Sequence, residues 1–261
     1  MKERWKMVTT KNYVPVIQMK GIYKYFGGVH AIEDVNLSLY EGEVLAIVGD
    51  NGAGKSTLIK ILSGVYIADK GEIFHKGKKV KINSTIDSRD LGIETMYQNL
   101  ALADNMNLFN NIFLGREIRK KGFLGKLGVI NSLLMVRKGL DLIDRFNIKI
   151  PDPDKKVRFL SGGQRQIVAT CRAIYFKAKI IIMDEPTASL GVAETKRVYE
   201  FIRNLKKQNI SIILISHNIN EVYDISDRIM VLKTGRQVGV REREKTTIDE
   251  IIHMIISGKD K

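Results

Sequence analysis

The sequence predicts an α/β fold in which a mainly parallel sheet is covered by helices. Two sequence patterns lead to this prediction, and the chain length is consistent with it. The apolar, strand-like runs KIIIMDEP and ISIILISH are separated by the helix-like run GVAETKRVYEFIRNLKKQ, and strands that alternate with helices are typical of parallel sheets. A third apolar run, EVLAIVGD, leads through a glycine-rich loop into another helix-like run. The 261 residues are enough for one large domain or two modest ones.

The remaining elements can be placed in chain order. Strand-like runs before residue 50 and a hairpin expected around Lys76–Gly77 make the N-terminal part rich in antiparallel β structure. Between about residues 100 and 156, NLFNNIFLGREI and INSLLMVRKGLDLIDRF have helical periodicity, which predicts a helical insertion. After it, NINEVYDIS is expected to form a helix and RIMVLKTGRQVG a hairpin.

Composition limits the class of protein. No apolar run reaches the roughly 18 residues needed to span a bilayer, and no apolar stretch follows the first charges, so we expect the chain to stay in the cytosol. The lone Cys171 excludes an internal disulfide, and we expect it to be buried in a helix. The net charge of +14 leaves three interpretations open: nucleic-acid binding, attraction to an anionic membrane, or a solvated lysine-rich surface.

A phosphate-binding loop is predicted at GDNGAGKS, residues 49–56, hereafter the phosphate loop. Its glycines let successive backbone N–H groups face an anion at the start of a helix. Lys55 can reach the β- and γ-phosphates of a nucleotide, and Ser56 can ligate Mg²⁺. The residues predicted to contact the nucleotide here are Gly49, Asp50, Asn51, Gly52, Ala53, Gly54, Lys55, Ser56 and Thr57.

Polar side chains are also expected at the ends of two buried strands. Asp184 and Glu185 follow four apolar residues, and His217 follows the next apolar run. Ligands of open α/β sheets bind at the carboxyl ends of the strands. We therefore predict that Asp184 holds Mg²⁺, that Glu185 polarises an attacking water, and that His217 contacts the γ-phosphate. Lys55, Glu185 and His217 are the predicted catalytic residues.

Taken in order, the phosphate loop, Gln98, LSGGQ, IIIMDEP and His217 resemble the motifs of an ABC-transporter ATPase subunit, a P-loop NTPase of the RecA-like class. The resemblance covers roughly residues 16–239. It implies ATP and Mg²⁺ as cofactors, with Gln98 as a Mg²⁺ ligand that senses a membrane partner. It also implies that Phe26 stacks on adenine, with Tyr25 as the alternative one position away.

The resemblance gives LSGGQ, Leu160–Gln164 and hereafter the signature, a role in another subunit's site. Ser161, Gly162, Gly163 and Gln164 would close on the γ-phosphate of a nucleotide held by the second subunit. Every motif occurs once in this chain, so the partner cassette must be another chain, and a homodimer is the simplest choice. The family usually has an aspartate where this chain has Gly191, which puts one cross-dimer contact in doubt.

The text of several motifs is similar to ATPases of bacterial importers for simple sugars such as ribose, xylose or fructose. That implies separate transmembrane permease subunits, a substrate-binding protein acting indirectly, a peripheral location on the cytoplasmic face of the membrane, and no nucleic-acid partner. The ATPase of a branched-chain amino-acid importer is the nearest rival, and a soluble ABC ATPase acting on nucleic acid or ribosomes is a second.

The predicted domain organisation is a single nucleotide-binding domain at residues 16–245. Its core and β subdomain comprise 16–98 and 157–245, and its α-helical subdomain comprises 99–156. An N-terminal extension (1–15) and a C-terminal tail (246–261) flank it.

Overall fold

The computed structural model describes residues 14–97, 100–145, 152, 154–175, 177–188 and 190–260. In these residues the strands form a six-stranded sheet and a four-stranded sheet, as the predicted α/β class requires. The strands are β1 (Ile17–Phe26), β2 (Val29–Leu39), β3 (Val44–Val48), β4 (Lys70–His75), β5 (Lys78–Val80), β6 (Ile93–Met96), β7 (Ile180–Asp184), β8 (Ser211–Ile215), β9 (Arg228–Lys233) and β10 (Arg236–Glu242).

The smaller sheet is antiparallel, with the strand order β2-β1-β4-β5. The hairpin predicted around Lys76–Gly77 connects β4 and β5. Both of its central residues have positive φ, 49° at Lys76 and 77° at Gly77, which is the geometry that matches the twist of a two-residue hairpin. The antiparallel N-terminal β structure expected from the sequence is present.

The larger sheet has the strand order β10-β9-β3-β8-β7-β6. All of its neighbouring strands are parallel except β9 and β10, which form the predicted second hairpin. Every residue of β3 and β8 is buried. Because β3, β8 and β7 are adjacent and parallel, their carboxyl ends lie at one edge of the sheet.

Helices cover both faces of this sheet. They are α1 (Lys55–Leu62), α2 (Thr85–Asp90), α3 (Leu108–Ile112), α4 (Phe123–Lys126), α5 (Ser132–Arg145), α6 (Gly162–Tyr175), α7 (Val192–Lys207), α8 (Ile219–Ile225) and α9 (Ile248–Ser257). Alternate residues of β3 divide between two cores. Val44 and Ala46 pack with residues of α6 and α7, whereas Leu45 and Ile47 pack with residues of α1 and the smaller sheet.

The first helix between residues 100 and 145 is shorter than the periodicity predicts. The expected helix over residues 107–118 ends at Ile112. Gly115 has a φ of 79°, a backbone conformation that an α-helix cannot contain. Phe113 follows the helix, is buried, and packs edge-on against Tyr175 with ring centroids 4.3 Å apart. The helical subdomain boundaries remain predictions.

The region described above as a C-terminal tail contains α9, which the sequence interpretation does not foresee. Ile251 and Met254 of α9 lie in the same buried core as α6 and α7. Arg241 of β10 forms an ion pair with Glu250 in the first turn of α9, at 2.7 Å, and another with Asp260 beyond the end of the helix, at 2.8 Å. In the described part of the chain, no helix has the length and apolar composition needed to cross a bilayer.

Candidate functional site

The sheet brings together three loops that carry predicted site residues. Ile47 of β3 pairs with Ile215 of β8, and Ile215 pairs with Asp184 of β7. The phosphate loop begins two residues after Ile47, and His217 lies two residues after Ile215. The side chains predicted from three separate motifs therefore meet at one edge of the sheet.

The phosphate loop is held against the end of β9 by close backbone contact. Gly49 has a φ of 147°, and a Cβ placed on it would lie 2.1 Å from the carbonyl oxygen of Leu232. Only glycine fits so close an approach. No side chain among the described residues caps α1 at Gly54, and its first turn contains no acidic residue. The free N–H groups and the helix dipole therefore favour an anion at this point.

Lys55 lies beneath the loop and is 7% exposed. Its Nζ donates to the carbonyl oxygens of Gly49 at 2.6 Å and Asp50 at 2.8 Å. Burial lowers the pKa of Lys55, while the nearby carboxylates of Glu185, Asp184 and Asp50 act in the opposite direction. The Lys55 ammonium group thus lies between the phosphate loop and the carboxylates of Asp184 and Glu185 at the end of β7.

The remaining predicted residues of the loop differ in exposure. Asn51, Gly52 and Ser56 are exposed, Gly54 and Thr57 are half-buried, and Ala53 is buried. The exposed groups among these residues are therefore the backbone at Gly52 and the side chains of Asn51 and Ser56.

Asp184 and Glu185 end the buried strand β7. Burial raises the pKa of Asp184, and the adjacent Glu185 raises it further against the effect of Lys55. Glu185 has a φ of 51°, in the left-handed region that non-glycine residues rarely occupy. Its N–H donates to the carbonyl oxygen of Ile215 at 2.9 Å. Backbone strain of this kind collects at functional sites, and the motif alone does not reveal it.

Glu185 and His217 face each other. Oε1 of Glu185 lies 3.4 Å from Nδ1 of His217. The Glu185 side chain is 25% exposed and that of His217 is 64% exposed, so both can reach a ligand without rearrangement of the core. A cavity of about 500 Å³ opens beside them, lined also by Asp50 and Asn51 and by Ile252 and other isoleucines of α9.

The signature begins α6 with a reciprocal cap. Gln164 Oε1 accepts from the N–H of Ser161 at 3.0 Å, and the N–H of Gln164 donates to Ser161 Oγ at 3.4 Å. This is a capping box. A Cβ on Gly162 would lie 2.5 Å from a methyl group of Leu190, and one on Gly163 would lie 3.3 Å from Cβ of Glu194. These two glycines permit close packing on the start of α7.

The signature lies on a different cavity from the phosphate loop. Gly162 and Arg165 line a space of about 390 Å³ that Glu185 and Pro186 also border. Arg165 is paired with Asp104 at 2.8 Å. Glu185 therefore separates one cavity that contains the phosphate loop from another that contains the signature.

Phe26 ends β1 and is 42% exposed. Its ring packs edge-on against Tyr66 at 5.1 Å, and Nζ of Lys24 lies 5.5 Å from its centre. Tyr25 is half-buried and its ring packs edge-on against His30 at 4.8 Å. The exposed ring of Phe26 is thus the better placed of the two for stacking. Tyr66 was not foreseen, because nothing in its sequence neighbourhood separates it from a packing aromatic.

The donors predicted for Mg²⁺ are compatible with that ion. Asp184 supplies a half-buried carboxylate beside a second carboxylate, and Ser56 supplies an exposed hydroxyl at the start of α1. Gln98, the third predicted ligand, lies outside the described residues. Among the described residues no group of three His, Cys, Asp or Glu side chains could hold a metal. Mg²⁺ is usually held by one or two protein oxygens together with substrate phosphates, and Asp184 and Ser56 can supply such oxygens.

Comparison with known proteins adds to this geometry. Residues 32–188 match the family model described as "ABC transporter". The chain is 46% identical to the xylose/arabinose import ATP-binding protein of Sulfolobus acidocaldarius, over 93% of this chain and 94% of that protein. It is 40% identical to the fructose import ATP-binding protein of Rhizobium meliloti, over 94% and 95%.

A third relative differs in length. The ribose import ATP-binding protein of Clostridium tetani is 43% identical over 94% of this chain but only 48% of its own length. This chain therefore spans about half of that protein.

Solved structures agree with the fold. A structure titled as the ADP conformation of an ATP-binding cassette of an ABC transporter has a TM-score of 0.79 and 26% identity, and covers 93% of this chain and 95% of its own. A nucleotide-free cassette has a TM-score of 0.78 at 26% identity, over the same shares of the two chains. With phosphate loop, signature, carboxylate pair and histidine arranged on this fold, the chain belongs to the ABC transporter family, as one of its ATP-binding cassettes.

Proposed function

We propose that this chain is the ATP-hydrolysing subunit of an importer for a simple sugar. The observation that carries the proposal is the meeting of Lys55, Asp184, Glu185 and His217 at one edge of the sheet. A cation under a phosphate loop, two carboxylates and an imidazole are the groups that phosphoryl transfer to water requires.

The proposed reaction assigns each group one task. The phosphate loop and Lys55 bind the β- and γ-phosphates and stabilise negative charge. Glu185 accepts a proton from water, whose oxygen attacks the γ-phosphorus as the bond to the leaving ADP oxygen breaks. His217, 3.4 Å from Glu185, donates to the γ-phosphate and orients that water. Mg²⁺, held by Ser56, Asp184 and Gln98, would offset the charge of the phosphates.

The proposal includes a second copy of the chain. The signature and the phosphate loop line different cavities, so one chain offers two half-sites. Two copies related by a two-fold axis would complete two whole sites, with Ser161 of one copy facing the nucleotide on the other. Closure of the pair, favoured because ATP binds the closed state better, would then drive movement of attached permease subunits.

The sugar assignment is supported by the relatives, which are named as import ATP-binding proteins for xylose or arabinose, fructose and ribose. They do not favour the branched-chain amino-acid alternative, nor action on nucleic acid or ribosomes. With these names we propose the rest of the assembly: transmembrane permeases, a substrate-binding protein acting indirectly, and a peripheral position on the cytoplasmic face. We also propose residues 16–245 as the cassette, with 99–156 as the permease-facing subdomain.

Glu185→Gln tests the catalytic proposal. The amide keeps the shape of the side chain but does not accept a proton, so hydrolysis should fall by at least about 100-fold while ATP affinity is retained. Light scattering should then show a dimer that accumulates with ATP. Glu200→Gln, an exposed acid on α7, is the matched control. Near-normal turnover by Glu185→Gln would contradict the assignment of the base.

The transport proposal needs a separate measurement. Deleting the gene in its host should abolish uptake of at least one radiolabelled pentose or fructose and leave leucine uptake unchanged. Loss of leucine uptake with normal uptake of every sugar would favour the branched-chain alternative.

A further inference from the structure

A buried tyrosine joins the two loops that carry Glu185 and His217. Tyr199 lies on α7 and is 6% exposed. Its hydroxyl donates to Oε2 of Glu221 at 2.6 Å and lies 3.2 Å from the hydroxyl oxygen of Thr187. Thr187 is two residues after Glu185, and Glu221 is in the first turn of α8, the helix that follows the His217 loop.

The direction of the hydrogen bonds follows from the chemistry. The Glu221 carboxylate only accepts, so the phenol donates to it, and the Thr187 hydroxyl then donates to the phenol oxygen. Burial, followed by the bond to Glu221, raises the pKa of Tyr199, so it remains a donor at neutral pH. The Ser216 hydroxyl lowers the pKa of Tyr199 against these two effects, and Ser216 directly precedes His217.

These hydrogen bonds therefore link the Glu185 loop and the His217 loop to the Tyr199 hydroxyl. Ser216 is 3% exposed, and its Oγ also accepts from the N–H of Asn218 at 3.1 Å. Asn218 in turn caps α8 by accepting from the N–H of Glu221 at 3.4 Å. A shift of the Tyr199 phenol would therefore displace both the loop that carries Glu185 and the loop that carries His217.

We propose that Tyr199 is a positioning residue that holds the Glu185 loop and the His217 loop at their working separation. This inference rests on the proposed hydrolysis. The Tyr199 hydroxyl bonds neither Glu185 nor His217 directly. It acts through Thr187 on one side and through Glu221, which Asn218 links to Ser216, on the other. Its removal should impair the chemical step and leave ATP binding, which depends on the phosphate loop, unchanged.

Tyr199→Phe is the direct test, because it keeps the ring and removes the hydroxyl. We expect kcat for ATP hydrolysis to fall about tenfold with KM unchanged, since small displacements of reacting groups reduce rate more than binding. Tyr223→Phe is the matched control. The Tyr223 hydroxyl bonds the carbonyl oxygens of Thr246 at 2.8 Å and Arg243 at 3.2 Å, away from the catalytic loops. It should lower the melting temperature similarly and leave kcat unchanged.

Further variants separate positioning from general destabilisation. Glu221→Gln keeps an oxygen acceptor for the phenol and should retain most of kcat, whereas Glu221→Ala should resemble Tyr199→Phe. In a His217→Ala background, Tyr199→Phe should cause little further loss, because coupled residues are not additive. Thr187→Val provides the same test from the other side if Tyr199→Phe folds poorly.

The outcomes are distinguishable. If the wild-type chain hydrolyses ATP but Tyr199→Phe has the same kcat as Tyr223→Phe, the positioning role is wrong and the proposed function stands. A raised KM, or full additivity with His217→Ala, would also overturn the positioning role. If the wild-type chain does not hydrolyse ATP with its partners present, the proposed function and this inference both fail.

Discussion

The phosphate loop and the signature are both glycine-rich helix starts, yet they are built differently. The phosphate loop contains a buried lysine and a glycine with a φ of 147° pressed against the carbonyl of Leu232. The signature has no lysine, none of its glycines has a positive φ, and its Ser161 and Gln164 cap each other. The phosphate loop is shaped by its own backbone contacts to surround a phosphate. The signature presents a capped helix start to a partner outside its own chain.

The glycines show the difference most clearly. At Gly49 the obstacle to a side chain is backbone, whereas at Gly162 it is the flexible end of Leu190. A loop fixed by backbone contacts can bind a ligand alone. A helix start whose glycines lie nearest to side chains, and which is itself exposed at Gly162, is suited to completing a site that another chain has begun.

Of the substitutions that test this comparison, Lys55→Ala should have the largest effect on ATP hydrolysis and nucleotide binding. Removal of the ammonium that lies under the phosphate loop should lower ATP hydrolysis by at least about 100-fold and weaken nucleotide binding by the isolated chain. Fluorescence titration with a labelled ATP analogue measures the affinity. Lys207→Ala, at the exposed end of α7, is the control and should bind normally. Unchanged affinity in Lys55→Ala would contradict the role of the loop.

Ser161→Ala should be nearly as damaging to hydrolysis but should leave nucleotide affinity of the monomer intact, because Ser161 is proposed to act on the partner's nucleotide. Loss of a hydrogen-bond donor to a charged transition state lowers rate by about 100-fold. The same titration and a phosphate-release assay measure the two quantities. If affinity falls as far as in Lys55→Ala, the signature belongs to its own chain's site and the distinction drawn above fails.

A pair of alanine substitutions compares the glycines directly. Gly49→Ala should destabilise the protein by at least about 2 kcal/mol, because the backbone carbonyl of Leu232 cannot move away and the φ is unfavourable. Gly162→Ala should change stability by less than about 1 kcal/mol, because Leu190 can rotate and alanine favours the helix. Thermal unfolding followed by circular dichroism measures both. Equal losses would show that the two loops are constrained alike.

The smallest predicted effect lies at the adenine end of the site. Phe26→Leu should weaken ATP binding by roughly threefold to tenfold, as expected for loss of one aromatic stacking contact. Tyr25→Leu should change affinity less, because the Tyr25 ring is half-buried against His30. Isothermal titration compares the two. A larger loss in Tyr25→Leu would reverse the assignment.

Much of the site could be predicted because its parts are continuous in sequence. The segment from Gly49 to Ser56 follows an apolar strand and leads into a helix, and Asp184 and Glu185 directly follow a buried run. Parallel strands then force their ends together, so the meeting with His217 follows from the fold class. Motif, local structure and topology are mutually consistent here.

Other features could not be predicted because they depend on contacts between distant segments. The φ of 51° at Glu185 arises where its N–H bonds the carbonyl of Ile215. Tyr199 resembles any buried helix residue until the fold places it beside Glu221. The helix α9 could not be predicted because its isoleucines carry no motif, although Ile251 packs in the core and Ile252 lines the cavity beside the phosphate loop.

The central claim, that each whole site needs two chains, is tested most directly by mixing two inactive variants. Lys55→Ala lacks a working phosphate loop but keeps its signature, and Ser161→Ala has the opposite defect. In a mixed pair, one site has both defects and the other has none, so an equal mixture should recover up to about a quarter of wild-type hydrolysis. Activity no higher than that of either variant alone, with mixed dimers shown by mass spectrometry, would contradict the account.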